Sequence, residues 1–289
     1  MEVLAGTSEG LFRLTDAGVA QVTSTETSSI AGDWAIVDGV EVVSLASGIT
    51  TTTAPLSGQC VVPYGDGALV GTEQAHLFEI DLRGFTKPVD SFDQIPTRDT
   101  WYTPWGAPPD TRSLTVTSDG VALVNVHVGG VWRGDANSWT EVVPVDNDTH
   151  QVLAATSGSR VLVAAAVGFG SSTDNGRTFT WITDGLHATY SRAVALAGDF
   201  VLLTASTGPR TERGAVYRRP ADSDGPFERC RDGLPDWFPF NIDTFQLAAS
   251  DQVAAIGTQA GEVYLSEDEG ATWTLAAKDL PPVRCIALA

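Results

Sequence analysis

At 289 residues, 43% of them hydrophobic, with 29 glycines and 15 prolines, the chain is long enough for two ordinary domains or one large all-β domain. A formal net charge of −19 excludes nucleic acid and anionic membranes as partners, because no basic patch stands ready to neutralise phosphates. No apolar run approaches the roughly 18 residues of a membrane-spanning helix, and no long helical period occurs.

The first elements already read as strands. Glu2-Val-Leu-Ala-Gly-Thr7 has the pattern of a second strand with no inner strand before it, and Gly10-Leu-Phe-Arg13 that of a third strand. Neither a basic segment nor an apolar leader core precedes them, so no signal peptide is expected. The segment 26–53 is compact and the least regular. Further on, the third-strand pattern returns as His76-Leu-Phe-Glu79, Gly130-Val-Trp-Arg133, Ala215-Val-Tyr-Arg218 and Glu262-Val-Tyr-Leu265. Inner-strand and second-strand pairs recur at 112–124, 192–203 and 243–255, each joined by a turn such as Ser-Asp-Gly or Ala-Gly-Asp.

A sharper motif follows some third strands. Ser266-Glu-Asp-Glu-Gly-Ala-Thr-Trp273 and Ser172-Thr-Asp-Asn-Gly-Arg-Thr-Phe179 share the plan Ser-x-Asp-x-Gly-x-Thr-aromatic, and 134–139 and 222–227 are eroded copies. In such a hairpin the Asp bonds turn amides, the Gly takes positive φ and the aromatic enters the core. On these motifs the chain resembles the Asp-box, or BNR-repeat, propeller superfamily, which includes sialidases, other glycosidases, sortilin-type receptors and a photosystem II assembly factor. The resemblance implies that the Asp-boxes lie opposite the ligand face.

The first residues of the innermost strands count the blades: Glu26, Gln59, Arg112, His150, Arg192, Asp243 and Arg284. Their mean spacing of about 41 residues suits four-stranded blades. The expected fold is therefore all-β, one domain over 1–289, a single seven-bladed propeller of antiparallel blades. Six blades remain if 26–53 is not a blade. The last strand, Arg284-Cys-Ile-Ala-Leu-Ala289, is expected to complete the N-terminal blade and close the ring.

Fourth-to-first and second-to-third connections share one face of a propeller, so function is expected there, around a channel. Arg112, Arg192 and Arg284 are candidates for an anion site, since guanidinium groups grip carboxylate or phosphate in bidentate fashion. Gln59, Asp243 and Asn241 are further candidates for binding. Trp101, Tyr102, Trp105, Tyr190 and Trp237, on long connections, either stack on a planar or sugar ligand or fold back as plugs. His76, His127, His150 and His187 fall at the same connections; His127 and His150 join the ligand candidates, and all four are candidates for a metal, although no ligand motif such as HExxH is present.

Two main functions stay open at this point, beside a weaker third, metal-dependent hydrolysis or lyase chemistry through the histidines and Asp243. One is a non-catalytic propeller that binds an anionic small molecule, a carbohydrate or a protein at the channel. The other is a glycosidase; resemblance to sialidases implies a three-arginine clamp, with Asp243, Glu26 and Tyr190 as candidate catalytic groups. The Arg-Ile-Pro signature of sialidases is absent, and no cofactor is implied. Two lysines, Lys87 and Lys278, stand against fifteen arginines, and Asp outnumbers Glu by 24 to 12. That balance resembles proteins of halophiles, where a Debye length of about 3 Å in molar salt screens self-repulsion. Cys60, Cys230 and Cys285, odd in number and without CxxC spacing, suit reduced thiols in a cytoplasmic monomer.

Overall fold

The computed structural model describes residues 2–135 and 137–289, so Ala136, within the eroded hairpin 134–139, lies outside them. Nearly all regular structure is strand. Seven four-stranded antiparallel sheets form the blades of a β-propeller. Six take consecutive strands, in residues 27–52, 58–88, 110–143, 149–182, 194–229 and 247–277. The segment 27–52 is a full blade of strands Thr27–Ala31, Trp34–Val37, Glu41–Ser44 and Thr50–Thr52, which leaves no room for a six-bladed count.

The chain forms two compact units: residues 28–163 with 170–180, and residues 1–27 with 164–169 and 181–289. Within both, polarity follows strand position. Second strands such as Val3–Thr7, Gly67–Thr72 and Ala122–His127 are buried at every residue, whereas the fourth strand Gly18–Thr23 is almost wholly exposed. A strand covered on both faces reads as a continuous apolar run, and an edge strand does not.

In the unit of residues 28–163, Trp34, Ile36 and Val42 of one blade pack with Val61, Val70 and Ile80 of the next. In the unit containing 181–289, Leu202, Phe238, Ile256, Tyr264 and Trp273 share one core cluster. The same unit holds the seventh blade, in which Val283–Leu288 is the inner strand beside Val3–Thr7. The pairs Val3↔Leu288, Leu4↔Ala287, Ala5↔Ile286 and Gly6↔Cys285 join the two ends of the chain.

The two complete Ser-x-Asp-x-Gly-x-Thr hairpins share one bonding scheme. Ser266 Oγ donates to Asp268 Oδ1 at 2.8 Å and accepts the Gly270 N–H at 2.9 Å, while Asp268 accepts Thr272 N–H at 2.8 Å and its hydroxyl at 2.6 Å. Ser172, Asp174, Gly176 and Thr178 repeat each bond within about 0.2 Å. Both glycines have positive φ, and a Cβ on either would strike a leucine methyl, Leu123 or Leu202. The Thr178 N–H, then the Ser172 and Thr178 hydroxyls, hold Asp174 well below the usual carboxylate range. Asp268 is lowered too: burial opposes its charge, but the bonds from Thr272 and Ser266 outweigh it.

Two outcomes are expected. Deleting residues 284–289 removes the buried Cys285 and Ile286 and the ladder to Val3–Thr7; at roughly 1.5–3 kcal/mol per buried side chain, thermal unfolding should show the melting temperature falling by about 10 °C or more. In the hairpins, D174N/D268N should destabilise the protein at pH 7 by about 1–3 kcal/mol. A carboxylate with depressed folded-state pKa gives stability above its unfolded pKa and loses it on acidification. The melting-temperature gap between wild type and D174N/D268N should therefore narrow as pH falls through about 4.

Candidate functional site

Three of the inner-strand starts sit at the same local irregularity. Gly58↔Thr72 is followed by Cys60↔Gly71, Thr111↔Val126 by Ser113↔Asn125, and on the closing strand Cys285↔Gly6 by Val283↔Thr7. Gln59, Arg112 and Arg284 are thus each the extra residue of a β-bulge, a device that re-aims a side chain at the end of a strand. The residue after each bulge is small and buried: Cys60, Ser113 or Cys285. Cys60 Sγ donates to Thr111 O at 3.2 Å, and Ser113 Oγ accepts the Val152 N–H at 3.0 Å, so the bulge is anchored to the neighbouring blade. All three cysteines are free, and burial pushes Cys230 and Cys285 up to about 12.

In the unit of residues 28–163, Arg112, His127, His150 and Trp105 come together. Arg112 Nη1 lies 3.3 Å from His127 Nδ1, and the rings of His127 and His150 are 5.6 Å apart. Trp105, 62% exposed, lies 5.2 Å from the His127 ring. Between the histidines stands Asp148, at the end of a 3₁₀ turn and just before the inner strand Thr149–Ala154. Burial works against the charge of Asp148, yet His127, His150 and Arg112 outweigh it and hold the carboxyl below its ordinary value. Trp101 does not join the cluster. It is 6% exposed, packed on Phe92 and Trp132 beneath the Arg98 guanidinium. Tyr102 is exposed, Gln59 is half-buried, and His76 binds Asp93 at 2.8 Å away from the other histidines of this unit.

In the other unit, a cleft of about 230 Å³ lies between the blades 194–229 and 247–277. Arg192, Asn241 and Asp243 line it, with Arg210, Gln246 and Gln259. Antiparallel pairing explains the meeting: each second strand ends where its inner strand began, so 206–211 and 258–261 reach the same end as 190–192 and 241–246. Arg192 donates to Asp243 Oδ2 at 2.5 Å and to Tyr190 OH at 3.0 Å. Burial would lower the Arg192 pKa, but the charge of Asp243 and the contact with Tyr190 raise it. Asp243 Oδ1 accepts the Thr244 N–H at 2.8 Å, and Gln246 Oε1 accepts the Asp243 N–H at 2.7 Å. Phe245 completes this turn with φ of 67°, a strained conformation for a bulky residue and one that clusters at functional sites. Asn241 bonds Ser206, Gly208 and Pro209, fixing the opposite wall.

Four other candidates of this unit, Arg284, Glu26, Trp237 and His187, lie outside the lining of the cleft. Arg284 pairs with Glu26 at 2.9 Å. Trp237 carries the Arg229 and Arg213 guanidiniums at 3.7 and 4.6 Å from its ring and lies 4.7 Å from His187. His187 bonds Tyr217 OH at 2.7 Å; burial first, then the nearby arginine charges, hold its pKa down. Each expected clamp arginine thus has a partner of its own within the chain, and both candidate acids, Glu26 and Asp243, are committed to a guanidinium. Sequence reading missed Asp148, Arg210, Gln246 and Gln259. Only Asp148 had a sequence signal, an acid two residues before a histidine.

No known protein family and no curated protein matches the sequence. Solved structures match the fold. The β-propeller domain of Myceliophteria thermophila Cps50 (Swd1) superposes with a TM-score of 0.64 at 12% identity, covering 95% of this chain and 92% of that one. The WD40 repeats of RRP9 give 0.62 at 14% identity, covering 98% and 87%. An ancestral GH74 enzyme gives 0.57 at 14% identity; 91% of this chain aligns with 35% of that one. Likeness at such identity carries the propeller architecture alone.

Proposed function

We propose that this propeller is a binding protein for a small, hydrogen-bonding, acidic ligand, with a carboxylated sugar as the fitting class, held in the cleft at Arg192. The single observation that carries the reading is the lining of the cleft. It mixes cations, amides and a carboxylate at the end of two blades where fourth-to-first and second-to-third connections meet. Arg192 is held rigidly by Asp243 and Tyr190, whereas Arg210 is exposed and makes no ion pair among the described residues. A fixed guanidinium beside an available one suits a carboxylate, and Asn241, Gln246 and Gln259 offer the paired donors and acceptors that hydroxyls need. At about 230 Å³ the space suits a monosaccharide. A hydrolytic role gains no support from Asp243 and Glu26, since a general acid must be free to hold and release a proton.

We take 1–289 as one binding domain of the Asp-box superfamily, supported by the shared bonding of the hairpins at 172–179 and 266–273. The net charge of −19 with only two lysines supports a halophilic setting, and three buried free thiols support a reducing, cytoplasmic one. A monomer that avoids nucleic acid and membranes is consistent with that charge.

Calorimetric titration with glucuronate and glucose tests the site. Glucuronate should bind more tightly than glucose, and R210A and R192A should each weaken it by tenfold or more, about 1.4 kcal/mol, while R284A binds as wild type. Equal affinity for the two sugars, or wild-type affinity in both cleft variants, would remove the site.

A further inference from the structure

A cluster of possible metal donors is built from residues other than those lining the cleft. The donors come from two adjoining blades. His127 ends the second strand Ala122–His127, and Asp148 and His150 flank the start of the inner strand Thr149–Ala154. One ligand atom from each of the three residues lies within 4.8 Å of the other two. The His127 side chain is 9% exposed and that of His150 not at all.

The distances discriminate between two uses of such a cluster. Asp148 Oδ1 is 3.5 Å from His127 Nε2 and 3.6 Å from His150 Nε2. These separations are long for a charge-assisted hydrogen bond, which closes to about 2.7–2.9 Å. They are close to the edge of a tetrahedron built on bonds of 2.0–2.2 Å, about 3.4 Å. Asp148 Oδ1 is buried, and among the described residues neither imidazole closes on it to a short hydrogen bond. A buried carboxylate oxygen left in that state is costly unless a cation completes it.

The backbone is bent to hold the carboxylate there. Asp148 has φ of 47° and ψ of 68°, the left-handed region, and closes its 3₁₀ turn by donating its N–H to Val145 O at 3.2 Å. Backbone strain of this kind is kept where surrounding structure fixes a side chain for use. The packing of Thr149 and His150, both fully buried, allows the turn little freedom to relax.

The geometry points to a divalent transition-metal site at His127, Asp148 and His150. Two imidazoles and one carboxylate are a donor set for Zn²⁺ and its first-row neighbours, with the remaining coordination left to an exogenous ligand. Arg112 lies against His127. An anion is the fitting exogenous ligand, since the ion and a guanidinium both attract it, and exposed Trp105 adds an aromatic face beside it.

The test uses the full chain, freed of metal with a chelator. Titration with ZnCl₂ should show one ion bound per chain, and Co²⁺ should give visible absorption bands of a low-coordinate site. The near-isosteric D148N and the deletion H150A should each weaken Zn²⁺ binding by a hundredfold or more, while H76A, whose histidine binds Asp93 instead, should bind as wild type. D148N keeps the shape of the turn, so its result stands even if H150A fails to fold. Absence of saturable uptake by wild type would overturn the assignment, as would wild-type affinity in D148N.

Discussion

Antiparallel pairing inside each blade is the constraint from which the functional geometry follows. Because the second strand runs back to the level at which the inner strand began, two kinds of connection are forced to one end of the blade. The third-to-fourth hairpins are forced to the other. The repeated chemistry of the chain lies at the hairpin end, where Ser172, Asp174, Ser266 and Asp268 bond amides and hydroxyls of their own turns. Its irregular chemistry lies at the connection end. There the bulges at Gln59, Arg112 and Arg284 and the strained turns at Asp148 and Phe245 set individual side chains.

Electrostatics gives that irregular end its character. In a chain of net charge −19, acidic groups far outnumber the fifteen arginines available to pair with them. Arg192, Arg112 and Arg284 are engaged by Asp243, His127 and Glu26. Such pairing makes an arginine rigid and reduces its pull on a ligand anion, so the binding we propose would rest on geometry and on neighbours such as Arg210 rather than on bare charge. At His127 and His150 the acidic neighbour is Asp148, and Arg112 stands alongside.

What could be read from the sequence is what recurs. The seven blades, the closing strand and both complete hairpins repeat, and the blade at 27–52 fits although its strands are short. Most starts of inner strands were found by the same repetition, three of them proving to be one bulge position, whereas Arg192 and Asp243 stand in the connections before Val194–Ala197 and Leu247–Ser250. Features that occur once could not be read that way. Asp148 matters because its backbone turns left-handed, which no neighbour in sequence announces. Arg210 and Gln259 lie in connections without a repeat pattern and meet only through the pairing of their blades. Trp101 looks like Trp105 in sequence, but the helix turn at Asp90–Asp93 brings Phe92 beneath it and draws it into the core. The partners of the three arginines were illegible because each lies on another strand or connection.

We place ligand recognition at the connection end around Arg192 and give the hairpin end a structural role. Hydrogen–deuterium exchange with and without glucuronate addresses it directly. Protection should appear at 206–211, 239–246 and 258–261, with no change at 172–179 or 266–273. Protection confined to the two hairpins, or exchange unaltered along the whole chain at saturating ligand, would contradict the account.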